Sequence, residues 1–235
     1  MTANEIMQEL EKYGDAQTKK TLMKHGAKEP FFGVKVADLK KILKKTKKNH
    51  QLSLELYATG NSDAMYLAGL MADETKISET ELEQWLQQAY WYYLNEFVVP
   101  WVAAETPFAF ALGLKWIDSK EERVAAAGWV TLSYYAGLNN DNVLDISTYS
   151  LLLNRVATEI EQAQNRVRHC MNAFVIAIGT YIKELYPKAL DVATKIGKQN
   201  VEMFGTYCKV PLATEYLQKA MNNGIVGKKR KSARC

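Results

Sequence analysis

The sequence predicts an all-α protein, an α-α superhelix (solenoid) of about six helical pairs. Three observations carry that reading. Apolar residues recur with helical spacing over nearly all of the 235 residues. The five prolines and thirteen glycines fall mostly at breaks between these segments. There is no alternating strand pattern and no Asn-Gly hairpin signal.

The elements follow in order. Asn4–Tyr13 is a short amphipathic helix with Ile6, Met7 and Leu10 inward. Ala16–His25 is a second, ended by Gly26. EPFFGVKV is an extended connector, because Pro30 disfavours helix at Glu29 and Phe31-Phe32 need a core. A lysine-rich helix starts at Val34 or Val36 and runs to about Lys45. Ser53–Thr59 and Asp63–Ala72 pair across Gly60-Asn61. Glu79–Ala89 opens on Ser78, with Glu81 completing a capping box, and Tyr90–Ala103 follows. Thr106-Pro107 reads as cap and first turn of Phe108–Trp116. Ser119, with Glu122 three residues on, reads as the cap of a helix to Tyr135. Gly137–Ser147 is turn-rich, either a plain loop or a short excursion with β character at Val143-Leu144. Thr148–Gln162, Asn165–Leu185 and Pro187–Ile196 are helical, Asn200–Lys209 is irregular, and Pro211–Met221 is a last short helix. Helical pairs of roughly 35–40 residues suit a HEAT-like α-solenoid, expected as one domain over 1–226 with a mobile basic tail at 227–235.

Composition narrows the function. No apolar run approaches the ~18–20 residues of a membrane span, and the N-terminus lacks a signal-peptide layout. Cys170, Cys208 and Cys235 are odd in number and widely spaced, which points to reduced thiols in a cytoplasmic protein. His25, His50 and His169 show no metal-ligand spacing with them, so no metal is expected. Charge is uneven. Residues 1–50 hold 12 Lys+Arg against 6 Asp+Glu, residues 51–150 hold 4 against 14, and residues 151–235 hold 14 against 6. Two basic ends fit a polyanionic partner, although solvated lysines explain such faces equally well.

No glycine-rich phosphate loop, GxSxG, HExxH or CxxC is present, so nucleotide-dependent, nucleophilic and metal chemistry have no handle. Neighbours on a helix point about 100° apart, so adjacency alone does not make His169 and Cys170 a dyad. NRVRHCMNAFVIAIG, residues 165–179, places Asn165, Arg168, His169 and Asn172 on one face of an otherwise apolar helix. Burying those groups without partners would cost roughly 2–7 kcal/mol each. The stripe therefore looks into a groove, or is a helix start capped by Asn165. In AYWYYLNEFVVPW, residues 89–101, Tyr92 and Glu96 share a face. A carboxylate framed by aromatics could stabilise a cationic transition state, while an aromatic-rich core helix is the plainer reading. Lys228, Lys229, Arg230 and Lys231 form a basic run, with Arg234 beyond it, that could neutralise phosphates.

FFGVKVADLKKILKK (31–45), LNEFVVPW (94–101), NRVRHCMNAFVIAIG and the ending from Thr206 together resemble the AlkD superfamily of HEAT-like DNA alkylation-repair proteins. The resemblance covers essentially the whole chain. It implies an α-solenoid whose basic concave face cradles DNA, with no cofactor and, in active members, hydrolytic excision of N3- and N7-alkylated purines. The active pattern has an aromatic four residues before an Asp; here those places hold Tyr92 and Glu96. The active Arg falls on Ala126, with Arg123 one turn earlier, and a later aromatic falls near Ile176. Branches without glycosylase activity resemble binders of branched or unusual DNA, and this sequence looks more like those.

Three readings follow. The first is a monomeric, non-catalytic protein gripping DNA through Lys35, Arg166, Arg168, His169, Asn172 and the tail cations 228–231. The second is an active alkylpurine glycosylase using Glu96, Tyr92 and Arg123. The third is a protein scaffold, which would require an exposed apolar face; the polar stripe argues against it.

Overall fold

A computed structural model describes residues 1–206 and 208–234. Among them are thirteen α-helices, one π-helical turn and three 3-10 turns. The only strand-like pairing among the described residues is an isolated bridge between Gly14 and Val34. Among the described residues, no helix is long and apolar enough to cross a membrane. The chain divides into two compact units. The first holds Met1–Thr106 with Phe204–Thr206 and Arg234; the second holds Pro107–Met203 and most of the C-terminal segment.

In the first unit, α1 (Ala3–Lys12) and α2 (Ala16–Lys24) start on side-chain caps from Thr2 and Asp15. An extended connector leads to α3 (Val36–Thr46), α4 (His50–Ala58), α5 (Ser62–Met71) and α6 (Glu79–Gln88). The capping box at Ser78 forms as expected, with Glu81 N–H donating to Ser78 Oγ and Ser78 N–H to Glu81 Oε2. Every residue of α5 is buried, so α5 is the hub of this unit. Tyr57 stacks on Trp85 with centroids 4.1 Å apart and donates to the Trp85 carbonyl at 2.8 Å, which ties α4 to α6.

The expected helix over 90–103 is interrupted. Leu94–Val98 is a π-helical turn, and α7 is only Val99–Ala104. Pro100 supplies the reason. It has no N–H for the carbonyl four residues back and its ring crowds that carbonyl, so the turn widens and Val99 N–H bonds to Leu94 O instead.

The second unit begins with α8 (Ala109–Ile117) and α9 (Glu122–Leu138). Two predicted caps are not used. Thr106 donates its hydroxyl to Ala103 O at 2.8 Å and closes α7, leaving Phe108 to cap α8. Ser119 accepts from Glu121 N–H, and α9 starts at Glu122 without a side-chain cap. Gly128 lets α8 and α9 meet at backbone distance: a Cβ there would lie 2.6 Å from Ile117 N and 2.9 Å from Gly113 O. The turn-rich 137–147 stretch has no β character; it holds a 3-10 turn at Asp141–Val143, then Asp145, which caps α10 (Ile146–Glu159) by accepting from Thr148 N–H. Hydrogen bonds from Ser147 and then Thr148 hold the exposed Asp145 carboxyl down at about 2.

Next come α11 (Asn165–Tyr181), α12 (Tyr186–Ile196) and α13 (Ala213–Asn222), with 3-10 turns at Ile160–Gln162 and Lys183–Leu185. The core joins α9, α10 and α11 through Trp129, Tyr149 and Phe174, all fully buried. Trp129 meets Phe174 edge-on at 5.0 Å. Burying each such ring is worth about 1.5–3 kcal/mol.

Candidate nucleic-acid interface

The polar stripe of α11 is drawn into the fold. Asn165 Nδ2 donates to Glu202 O at 2.9 Å, and Asn165 Oδ1 accepts from Glu202 N–H at 2.7 Å. Asn165 is therefore no cap. The helix N-terminus is served from α9, where Glu122 Oε1 accepts from Arg166 N–H at 2.7 Å. Arg168 donates to four main-chain carbonyls: Ile160 at 3.2 Å, Glu161 at 2.9 Å, Ala163 at 3.1 Å and Asn200 at 3.1 Å. Asn172 is wholly buried, and its Nδ2 donates to Pro211 O at 2.9 Å. Three residues of the stripe thus bond to Asn200, Glu202 and Pro211, where the sequence reading expected either a groove-facing stripe or a helix start capped by Asn165. Partners for these groups lie up to 39 residues away, so no local pattern could reveal them.

Arg166 is buried at 8% exposure, with one guanidinium nitrogen 3.5 Å from Met203 Sδ. Burial, and then the neighbouring Arg166 charge, push the His169 imidazole down from 6.5 to about 4. His169 is therefore neutral at pH 7 and offers a phosphate no charge. Among the described residues, its Nδ1 and the Oδ1 of Asn172 are buried without a protein partner.

The basic tail is docked, not free. Lys229 Nζ donates to Ala136 O and Tyr181 O at 2.9 and 2.7 Å and pairs with Asp141 at 2.7 Å. Arg230 N–H donates to Gly137 O, and its guanidinium lies 5.6 Å from the centre of the Tyr134 ring. Lys228 and Lys231 are exposed. In the first unit, Arg234 pairs with Glu74 at 2.9 Å and Glu105 at 3.0 Å, and its side chain is 8% exposed, so it too serves the fold. Cys235 lies outside the described residues.

Lys35 caps α3 by position, is exposed, and lies 4.0 Å from Asp15. It borders a pocket of about 270 Å³ with Asp63, Tyr66, Trp91 and Tyr93. Asp63 is a residue that motif reading missed. Its carboxylate accepts from Phe32, Gly33 and Val34 N–H at 2.6, 3.0 and 3.1 Å, which holds the connector before Lys35. Burial pushes this carboxyl above the usual aspartate range, against the pull of those three donors. On α3 and just past its end, Lys40, Lys41, Lys44, Lys45, Lys47 and Lys48 are all exposed, and Lys41 pairs with Asp38, Lys45 with Glu9 and Lys48 with Glu74.

Glu96 sits on the π-helical turn at 4% exposure. Tyr92 is half-buried and stacks on Phe204, with centroids 5.4 Å apart and planes at 14°. Arg123 belongs to the second unit and pairs with Glu121 at 2.9 Å. Ala126 is fully buried. Among the described residues, no group of three His, Cys, Asp or Glu side chains could hold a metal ion.

Comparison with known proteins gives this geometry its context. A solved structure described as "a new family of proteins related to the HEAT-like repeat DNA glycosylases with affinity for branched DNA structures" matches with a TM-score of 0.92 and 37% identity, over 100% of both chains. The uncharacterised protein Lin0241 of Listeria innocua is 31% identical over 94% of this chain and 98% of that protein. The uncharacterised protein Lmo0209 of Listeria monocytogenes is 30% identical over the same shares. The family described as DNA alkylation repair enzyme matches residues 6–208. With a HEAT-like repeat fold and a family match across most of its length, the chain belongs to the DNA alkylation repair enzyme family.

Proposed function

We propose that this protein binds branched or otherwise unusual DNA through its backbone and does not excise bases. The observation that carries this is the full-length likeness, at 37% identity, to a protein related to the HEAT-like repeat DNA glycosylases with affinity for branched DNA structures. The exposed cations Lys35, Lys40, Lys44, Lys47, Lys228 and Lys231 are the phosphate contacts, each adding to the salt dependence of binding. Arg166, Arg168 and Lys229, in the second unit, are engaged by the chain's own groups and hold its fold.

Loss of excision rests on three residues. Glu96 stands where active members carry Asp, one methylene longer, and is buried. Ala126 stands where they carry Arg and has no donor to offer. Ile176 replaces a second aromatic wall. Misplacing a charge by about 1 Å costs on the order of 100-fold in rate. The test compares gel shifts of single-stranded, duplex and four-way-junction DNA at several salt concentrations, alongside base release from methylated DNA. Junction preference without base release is expected. Absence of binding to all three at low salt overturns the proposal, and base release abolished by Glu96→Gln would make the protein a glycosylase.

A further inference from the structure

Phe204 is an unusual residue. It lies in an irregular segment, is 39% exposed, and holds φ at 57°, a left-handed conformation that bulky side chains rarely adopt. Its own backbone preference therefore does not hold it there. The ring lies in a slot of the first unit. Tyr92 stacks on it at 5.4 Å and 14°. Gly26, at φ 89°, borders the ring closely: a Cβ there would lie 3.1 Å from Cε1, 3.2 Å from Cδ1 and 3.4 Å from Cζ. Those three similar distances place Gly26 over the ring's face, not at its edge. The slot thus accepts a flat ring, with an aromatic surface and a bare main chain as its borders.

The rim tells what kind of flat ring would compete. Lys24 and Lys28 flank Gly26 in sequence and are exposed, while Glu29, the nearby acid, is paired with Lys19 at 2.7 Å. A planar group attached to a polyanion fits this surface better than a planar group attached to a neutral chain. Stacking on an aromatic side chain is how proteins hold unpaired bases, because every base has a π-face.

We propose that the Tyr92–Gly26 slot is a binding site for an unstacked nucleobase, and that Phe204 is its exchangeable occupant. Phe204 covers the Tyr92 ring in the free protein; a base splayed out at a branch point takes its place. The strained backbone and half-exposed ring make exchange easy, because release lets residue 204 return to ordinary φ. This rests on the DNA-binding reading above, and it explains how a protein without an excising site could prefer branched DNA: duplex offers no unstacked base.

The test uses the full chain and a three-way junction carrying 2-aminopurine as an unpaired base at the branch, with a fully paired duplex as reference. Base–aromatic stacking changes affinity by about tenfold. Wild-type protein is expected to quench the 2-aminopurine. Phe204→Ala should tighten junction binding several-fold and leave duplex binding unchanged. Tyr92→Leu should weaken junction binding about tenfold and abolish the quench, while Tyr92→Phe, which keeps the ring, should behave as wild type; circular dichroism melts confirm that each variant folds. Junction binding by anisotropy without a change in 2-aminopurine emission overturns the slot proposal and leaves the DNA-binding reading standing. Phe204→Ala that weakens junction binding also overturns it. Failure to bind any DNA at low salt overturns both.

Discussion

Replacing Arg168 with Ala separates two roles that the stripe on α11 could have. The guanidinium makes four hydrogen bonds to carbonyls, three of them at the 3-10 turn and its exit and one at Asn200. Such bonds to a charged donor are worth about 1.5–3 kcal/mol each when fully buried, but water can replace part of them at this half-buried site. A net contribution of about 0.5–1 kcal/mol per bond gives a loss of roughly 3 kcal/mol for Arg168→Ala. For a chain of this size that lowers Tm by about 6–12 °C. Arg168→Lys should lose about half as much, because a single ammonium cannot reach four carbonyls spread around a planar fork. Thermal and urea unfolding measure this directly. The second readout is the slope of log K against log salt for junction DNA. A phosphate contact would contribute about 0.9 to that slope; a group bonded to the chain's own carbonyls contributes nothing. A variant that keeps wild-type stability within about 0.5 kcal/mol while losing about one unit of slope would refute the structural assignment of Arg168.

Other perturbations probe neighbouring features. Asp63→Ala leaves three main-chain N–H groups without their acceptor and should cost on the order of 3–5 kcal/mol in urea unfolding. His169 titrates near 4 in the folded chain and near 6.5 when unfolded, so the unfolded state binds more protons between those values. Its contribution is fully present above pH 6.5 and falls as pH drops toward 4, by about 1.4 kcal/mol per pH unit and about 3 kcal/mol over the window. The wild-type minus His169→Gln difference in unfolding free energy should show that slope; a flat difference counts against burial of a neutral imidazole. Arg234→Ala removes one partner from Glu74, which keeps Lys48, and one from Glu105, and should destabilise the first unit by about 3 kcal/mol, read as a shifted unfolding midpoint.

Much of the fold was legible because its signals are local. Helical spacing of apolar residues located the helices to within a few residues except around α7, and Ser78-x-x-Glu81 marked a real cap. The family could be named because several motifs coincided along one chain. Pro100 was visible, yet it read as part of a continuous helix; only the widened turn shows what its missing N–H does. Chain order misled at Thr106 and Ser119, where each hydroxyl found a nearer backbone partner than the helix it was expected to cap.

The sequence by itself determined most of the helices and the likeness to HEAT-like repair proteins, because spacing and residue identity are enough for those. Tertiary structure decided which polar groups remain available to a ligand. Asn165, Arg168 and Asn172 look like a ligand-facing stripe until main-chain groups of residues 160–163, Asn200, Glu202 and Pro211 bond to them. The tail cations look free until Lys229 and Arg234 reach carbonyls and carboxylates 48 to 164 residues away. Phe204 looks like an ordinary loop residue until its ring meets Tyr92. The physical reason is common to all of them: whether a donor or a ring is open to a partner depends on what desolvates it first, and those groups come from distant parts of the chain.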